Sequence, residues 1–169
     1  MPRIALIGPE SVGKSTLAHK LGRYYNLFVV DEYARTYVEQ LSRPYTYHDV
    51  EKIAYQQCQE FANNANAFFD TDMIITKVWF DVVYGCEPEW LKIWMLTHKM
   101  DFYLLLKPDI EWKADSTREN GDRREWLYGL YKKEIERLGV DYVEIGGKGD
   151  ERLQNAIESL KPIICNQKL

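Results

Sequence analysis

The stretch GPESVGKSTLA, residues 8–18, has the residue types and spacing of a loop that holds a phosphate group. Gly8, Gly13, Lys14 and Ser15 match the pattern G-x-x-x-x-G-K-[ST] at every fixed position. In such a loop the glycines let the backbone curl so that its N–H groups point at an anion. The lysine reaches the outer phosphates and the hydroxyl binds Mg²⁺. The sequence therefore predicts a site for ATP and Mg²⁺, although a glycine-rich turn without a ligand would have a similar appearance.

We expect the nucleotide to contact this loop, the first turn of the helix after it and two arginines from later in the chain. The helix would point the positive end of its dipole at the phosphates. The predicted nucleotide-binding residues are Gly8, Glu10, Ser11, Val12, Gly13, Lys14, Ser15, Thr16, Arg118 and Arg123.

Other features narrow the class of phosphate-binding protein. A GTPase would carry an Asn- or Thr-Lys-x-Asp motif, and the segment Thr76–Trp79 (TKVW) departs from it at the last position. A nucleic-acid motor would need a longer chain and a basic surface, whereas this one has 169 residues and a net charge of −4. The sequence therefore favours a small-molecule kinase, which needs an acceptor pocket, a base for the acceptor hydroxyl and mobile positive charge.

The segment Asp31–Arg35 (DEYAR) is the predicted acceptor site, because ligands of open α/β sheets bind beyond the carboxyl ends of the strands. Glu32 and Arg35 are three residues apart and would share one face of a helix. A carboxylate near the acceptor hydroxyl can take its proton, and an arginine can bind hydroxyls or phosphate oxygens. We predict catalytic roles for Lys14, Glu32 and Arg35, with Asp31 beside the substrate. The alternative is that Asp31 or Glu32 only caps a helix, with Arg35 as its salt-bridge partner.

Two carboxylates follow the third apolar stretch of the chain. A carboxylate at the end of a strand commonly holds the hydrated Mg²⁺ of a P-loop site. We assign Asp70, with Ser15, to the metal and Asp72 to a substrate hydroxyl, although the two aspartates could be exchanged. A solvated turn is the alternative.

A polar segment, residues 111–124, contains three arginines around Gly121. As a lid it would fold over the phosphates, and Arg118 would neutralise charge during transfer. A charged loop in solvent is the alternative.

Strand-like and helix-like segments alternate along the chain, which predicts an α/β fold: one P-loop domain over residues 1–169, with a five-stranded parallel sheet and helices on both faces. The predicted strands cover residues 3–7, 27–30, 101–106 and 140–145, with a further strand through Phe68 that ends in the carboxylate pair. The predicted helices cover 14–25, 34–41, a long segment with Asp49 as N-cap, 76–84, 88–99, a segment ended by Gly139, and 150–161.

The composition is that of an ordinary globular protein, with 46% hydrophobic and 28% charged residues. Three cysteines without CxxC spacing predict reduced thiols, hence a cytoplasmic protein without a disulfide framework or zinc site. We expect neither a nucleic-acid nor a membrane partner, and the oligomeric state is left open.

Several longer segments narrow the assignment further. They are GPESVGKSTLA, EYAR at Glu32, FFDTDMIITKVW followed by Tyr84-Gly85, LLLKPDIEWKADSTR, Arg123-Arg124, and VDYVEI followed by a glycine loop and Arg152. Over Ile4 to Leu160 the chain resembles the ribosylnicotinamide kinase domain at the C-terminus of NadR proteins, within a broader group of small AAA-type P-loop ATPases.

The resemblance implies transfer of the ATP γ-phosphate to the ribose 5′-hydroxyl of nicotinamide riboside, which gives nicotinamide mononucleotide. Trp79 and Tyr84 would form the wall that stacks on the pyridinium ring. The chain has no His-x-Gly-His motif, so we expect phosphorylation without adenylyl transfer or operator binding. A kinase for another nucleoside and a regulatory ATP-binding module are the alternative functions.

Overall fold

Five strands form one sheet in the computed structural model, which describes residues 2–111 and 121–165. All neighbouring strands are parallel, in the spatial order β2-β3-β1-β4-β5 if the strands are numbered along the chain. All five therefore end at the same edge, and the predicted α/β fold with a five-stranded parallel sheet is confirmed. The strands are β1 (Ile4–Ile7), β2 (Phe28–Val30), β3 (Ala67–Asp70), β4 (Phe102–Leu106) and β5 (Tyr142–Ile145).

Helices connect the strands. Within the described ranges, none of them has both the length and the apolar character needed to cross a bilayer. The helices are α1 (Lys14–Tyr25), α2 (Tyr33–Glu39), α3 (Tyr47–Asn63), α4 (Met73–Tyr84), α5 (Glu89–Thr97), α6 (Arg124–Leu138) and α7 (Asp150–Cys165).

The core lies in two layers, one on each face of the sheet. Successive side chains of a strand point to opposite faces, so β1 serves both layers. Ile4 and Leu6 pack with apolar residues of α1 and α7. Ala5 and Ile7 pack with residues of α3, α4, α5 and α6. Helices thus cover both faces, as the alternating pattern of the sequence predicts.

Two predicted boundaries are wrong for local reasons. Asp49 is not the N-cap of α3: Thr46 occupies that position, and Asp49 is the third helical residue of a capping box. Helix α4 begins at Met73 and not near residue 76, because Asp72 caps a helix that begins directly after it. Apolar runs on both sides of a cap look alike in sequence whether they are strand or helix.

The last helix is longer than predicted. It continues through Pro162 to Cys165, whereas the sequence suggested an end near residue 161. Proline inside a helix removes one backbone hydrogen bond. Ile164, which is buried among the residues that pack α1 and α7 against the sheet, adds apolar contact that offsets this loss.

Gly8 lies where the loop after β1 passes the end of β4. A Cβ at this position would lie 2.8 Å from the carbonyl oxygen of Leu106 and 3.2 Å from Cγ2 of Val12. The backbone φ of +157° is also one that L-residues rarely adopt. Glycine is therefore required here for close approach as well as for backbone conformation.

We expect Gly8→Ala to lower the free energy of unfolding by about 1–3 kcal/mol, because the added methyl group meets a backbone carbonyl. The midpoint temperature of thermal unfolding should then fall by several degrees, at about 2–4 °C for each kcal/mol of lost stability. Gly129→Ala is the matched control, since a Cβ there meets nothing within 4 Å. That change lies inside α6 and should be neutral or stabilising. Equal midpoints for Gly8→Ala and the wild type would contradict the steric argument.

Candidate active site

A cleft of about 830 Å³ opens at the carboxyl edge of the sheet. It extends from the loop after β1, past the start of α2, to the outer turns of α4. Helix α6 contributes a further side. The predicted residues that line it are Gly8, Glu10, Ser11, Val12, Gly13, Lys14, Ser15, Thr16, Glu32, Arg35, Trp79 and Arg123. The structure therefore brings the predicted phosphate loop and part of the predicted acceptor site into one cavity.

The phosphate loop is curled in the way that its glycines predict. Gly13, at φ +80°, is the N-cap of α1 and has no side chain to cap the first amides of the helix. Ser11 also has a positive φ, of 58°. The Lys14 ammonium donates to the carbonyl oxygens of Gly8 and Pro9, at 3.0 and 3.1 Å. Uncapped N–H groups, the helix dipole and this ammonium make the end of the cleft suitable for an anion.

Asp70 and Ser15 meet beside the loop, and their donor atoms fit a hydrated Mg²⁺. Asp70 is 2% exposed, and within the described ranges its Oδ1 has no hydrogen-bond partner. Burial raises the pKa of Asp70, while the Lys14 charge and a hydrogen bond with Ser15 oppose the rise. The described residues contain no cluster of three or more His, Cys, Asp or Glu side chains able to hold a metal ion. A Mg²⁺ here would therefore depend on these two residues together with phosphate oxygens and water.

Glu32 stands at the N-cap position of α2, but its side chain makes no capping hydrogen bond. Burial raises the pKa of Glu32, and the nearby Lys14 charge works against the rise, followed by the charge of Arg35. The Arg35 Nε lies 3.7 Å from Glu39 Oε1 in the next turn of the helix. The alternative in which Glu32 only caps the helix is not what the structure shows. A partly buried carboxylate with a raised pKa is suited to proton transfer.

Two predicted substrate residues lie outside the cleft. The Asp31 side chain is 72% exposed and pairs with His19 Nε2 at 2.9 Å on the protein surface. Successive residues of extended backbone point to opposite sides, so Glu32 and Asp31 do not face the same cavity. Tyr84 packs against Tyr47, with ring centroids 5.2 Å apart, and does not line the cleft. It follows Trp79 by five positions, which places it on another face of α4.

Asp72 is a third departure from the predicted substrate site. Its Oδ1 accepts from the Ile74 amide at 2.7 Å, and its Oδ2 accepts from the Tyr103 hydroxyl at 2.6 Å. Burial raises the pKa of Asp72 to about 6, against these two hydrogen bonds. Both carboxylate oxygens are thus used by the fold, and we leave Asp72 out of the proposed acceptor site. Of the two aspartates, Asp70 is the one with an oxygen available to a hydrated metal ion.

The predicted lid is described only in part. Arg118 lies outside the described residues. Arg123 lines the cleft, and its guanidinium carbon is 4.2 Å from the centroid of the Trp126 ring. Its neighbour Arg124 is buried and donates to the carbonyl oxygen of Ile110 at 2.8 Å. Arg123 is therefore the lid arginine that the described structure brings to the cleft.

The far end of the cleft is formed by residues that the sequence argument missed. Tyr45 meets Trp79 with ring centroids 4.9 Å apart and an interplanar angle of 78°. Arg43 and Pro44 line the same end, and Tyr131 of α6 lines the cleft as well. Tyr45 lies in an irregular segment without apolar periodicity, so its only signal was an aromatic residue next to a proline. An aromatic wall does exist, but Tyr45 takes the place predicted for Tyr84.

Arg152, near the start of α7, supports the phosphate loop from behind. The side chain is 3% exposed and donates to the carbonyl oxygens of Val12 and Gly147. It also forms an ion pair with Asp109, which in turn accepts from the Gly147 amide at 2.8 Å. A single guanidinium thus ties together the loops that follow β1, β4 and β5.

We expect Asp72→Asn to lower stability by about 1–3 kcal/mol, because an amide oxygen can replace only one of the two acceptors. Tyr103→Phe removes the other side of one hydrogen bond and should act in the same direction. Thermal unfolding measures both effects. The affinity for a phosphate acceptor should change little in either folded variant. A large loss of acceptor affinity at unchanged stability would restore Asp72 to the substrate site.

Comparison with known proteins places this chain in a family. The family described as AAA domain matches residues 3–152. The chain is 28% identical to the trifunctional NAD biosynthesis/regulator protein NadR of Escherichia coli (strain K12), over 98% of this chain and 43% of that protein. The NadR protein of Salmonella typhimurium (strain LT2) is 27% identical, over 97% of this chain and 43% of its own length. The chain therefore spans less than half the length of these relatives.

Solved structures confirm the fold. A NadR protein in complex with NR superimposes with a TM-score of 0.76 at 20% identity, over 95% of this chain and 50% of that one. A deoxyadenosine kinase from M. mycoides, with products bound, gives a TM-score of 0.70 at 12% identity, over 95% of this chain and 99% of that one. The architecture is that of P-loop kinases.

Proposed function

We propose that this chain, which belongs to the AAA domain family, is an ATP-dependent nucleoside kinase with nicotinamide riboside as its acceptor. One observation carries the proposal: a single cleft joins the phosphate loop to Glu32, a partly buried carboxylate with a raised pKa, and then to an aromatic wall. A phosphate donor, a base and a flat ring can be held there in that order. The product would be nicotinamide mononucleotide.

The comparisons support this acceptor. Both curated relatives are named for NAD biosynthesis, and they align with almost all of this chain. One similar structure contains NR, and another contains NAD and AMP-PNP. The relatives are trifunctional proteins of more than twice this length, so the kinase step is the part of their activity that we assign to this chain.

On the donor side, Lys14 and the amides at the start of α1 would bind the β- and γ-phosphates of ATP. Arg123 would add positive charge from the side of α6, with Arg118 as a further proposed lid arginine. Ser15 and Asp70 would hold Mg²⁺, which supplies charge neutralisation of the phosphate oxygens when bound. These groups keep the γ-phosphorus open to attack from the acceptor side of the cleft.

On the acceptor side, Glu32 would take the proton of the ribose 5′-hydroxyl. The hydroxyl oxygen then forms a bond to the γ-phosphorus, and the bond between that phosphorus and the β–γ bridging oxygen breaks to release ADP. Arg35 would orient hydroxyl or phosphate oxygens. The raised pKa of Glu32 makes it a stronger base than an exposed carboxylate, and the Lys14 charge limits the rise.

A panel of nucleosides with Mg²⁺-ATP tests the proposal, with products identified by mass spectrometry. We expect nicotinamide mononucleotide and ADP in equal amounts. A phosphorylated product from another nucleoside would keep the kinase and replace the acceptor. ATP hydrolysis that is indifferent to every nucleoside would contradict the proposal and favour a regulatory ATP-binding module.

We expect Glu32→Gln to lower kcat by about 10²–10⁴-fold with the fold intact, the usual range for loss of a general base. Glu89→Gln, at an exposed position in the first turn of α5, is the matched control and should leave kcat unchanged. Steady-state kinetics and thermal unfolding of both variants make the comparison. A loss of less than threefold for Glu32→Gln would remove Glu32 from the mechanism.

Lys14→Ala should abolish turnover, because it removes the ammonium from the outer phosphates. The fold should persist, since Lys14 contacts only carbonyl oxygens of its own loop among the described hydrogen bonds. Substantial turnover by this variant would contradict the proposed donor site.

A further inference from the structure

The wall at the acceptor end of the cleft depends on one buried carboxylate. Asp49, in the first turn of α3, is 1% exposed. Both terminal nitrogens of Arg43 donate to it, at 2.6 and 3.0 Å. The Thr46 amide and hydroxyl donate at 2.8 and 2.7 Å, and the Tyr37 hydroxyl donates at 2.9 Å. Five hydrogen bonds from three residues thus converge on Asp49.

These hydrogen bonds hold in place a segment that has no regular secondary structure. Residues 41–46 connect α2 to α3 and form neither helix nor strand. Arg43, Pro44 and Tyr45 of this segment line the cleft, and Asp49 itself does not. Asp49 holds the residues on both sides of Tyr45 and reaches α2 through Tyr37. The contact between Tyr45 and Trp79 therefore depends on a carboxylate behind the wall.

The Asp49 carboxylate also neutralises the positive charge of Arg43, which lies in the wall. Arg43 lines the cleft and is 51% exposed, so its guanidinium would present a positive charge to a ligand. The Arg43 hydrogen bonds, followed by those of Thr46, hold the pKa of Asp49 well below its usual range. Asp49 is therefore ionised at any working pH, and the pair carries no net charge. A cationic ring can then approach the aromatic wall without facing an uncompensated guanidinium.

We propose that Asp49 is a positioning residue of the acceptor site, which fixes Tyr45 against Trp79 and neutralises Arg43 at the place where a cationic nucleoside base binds. This inference rests on the proposed nucleoside kinase function and adds the origin of its preference for a charged ring. The effect on the reaction passes through Arg43 and Tyr45, because Asp49 lies outside the cleft.

The decisive comparison uses two acceptors that differ mainly in charge. Nicotinamide riboside has a pyridinium ring, and its dihydropyridine form has the same substituents on a neutral ring. In Asp49→Asn, Arg43 keeps its charge and loses its counter-ion. We expect the KM for the cationic nucleoside to rise about three- to tenfold more than the KM for the neutral one, as one unpaired charge near a protein surface implies. The KM for ATP should change by less than twofold.

A double variant separates charge from placement. Arg43→Gln in the Asp49→Asn background removes the unpaired charge and should return the ratio of the two KM values to that of the wild type. The absolute KM values should stay high, because the segment is still without its carboxylate anchor. A merely structural role for Asp49 would not move the ratio in either direction.

Asp150→Asn is the matched control, since Asp150 is also an aspartate in the first turn of a helix but is 95% exposed and does not line the cleft. Tyr37→Phe is a milder test that removes one of the five hydrogen bonds, in case Asp49→Asn unfolds. Thermal unfolding checks each variant. We expect Tyr37→Phe to raise the KM of both acceptors modestly and to leave their ratio unchanged.

Hydrogen exchange keeps this inference separate from the proposed function. Backbone amides in residues 40–46 should exchange faster in Asp49→Asn than in Asp150→Asn, whatever the enzyme phosphorylates. If the wild type phosphorylates neither acceptor, the proposed function fails and the exchange result alone decides whether Asp49 positions the segment. Unchanged exchange in residues 40–46, or an unchanged KM ratio in an active Asp49→Asn enzyme, would overturn the proposal.

Discussion

The common direction of the five strands is the constraint on which the candidate site depends. Because every strand ends at one edge, each following loop delivers its first polar residues to the same region. Lys14 follows β1, Glu32 follows β2 and Asp70 is the last residue of β3. Asp109 and Gly147 follow β4 and β5, and they support the phosphate loop through Arg152. An antiparallel neighbour would have carried its loop to the opposite edge.

The positive charge of Lys14 offsets the electrostatic cost of two carboxylates at this edge of the sheet. Burial raises the pKa of both Glu32 and Asp70, the Asp70 charge adds to the rise for Glu32, and the Lys14 ammonium opposes the rise for both. Lys14 therefore serves the acceptor side of the cleft as well as the phosphate side. One cation thus acts on both the proposed metal ligand and the proposed base, and would couple the two halves of the proposed reaction electrostatically.

The sequence was most informative where chemistry depends on contiguous backbone. The phosphate loop is such a case, since Gly8 and Gly13 determine its curl locally and every residue predicted within it lines the cleft. Side-chain direction was harder to predict. Asp31 lies one residue before Glu32 and faces solvent, and Asp72 lies two residues after Asp70 and caps a helix. The direction of these side chains depends on the residue at which a strand ends, and apolar patterning defines that residue only to within a few positions.

The acceptor wall was not predictable because its parts meet only through packing. Tyr45 comes from an irregular segment and Trp79 from α4, and no spacing in the sequence relates them. Tyr84 had the right residue type but lies on another face of the same helix. Asp49 was identified as a helix-capping residue, whereas its contacts to Arg43 and Tyr37 appear only in the folded chain.

The bonds from Arg152 to the loop after β1 have a consequence for synthesis. The guanidinium that braces the phosphate loop is made about 140 residues after the loop itself. The nascent chain therefore contains the phosphate loop long before it contains Arg152. The phosphate loop is thus braced only after α7 has been made, the same helix that closes the second layer of the core.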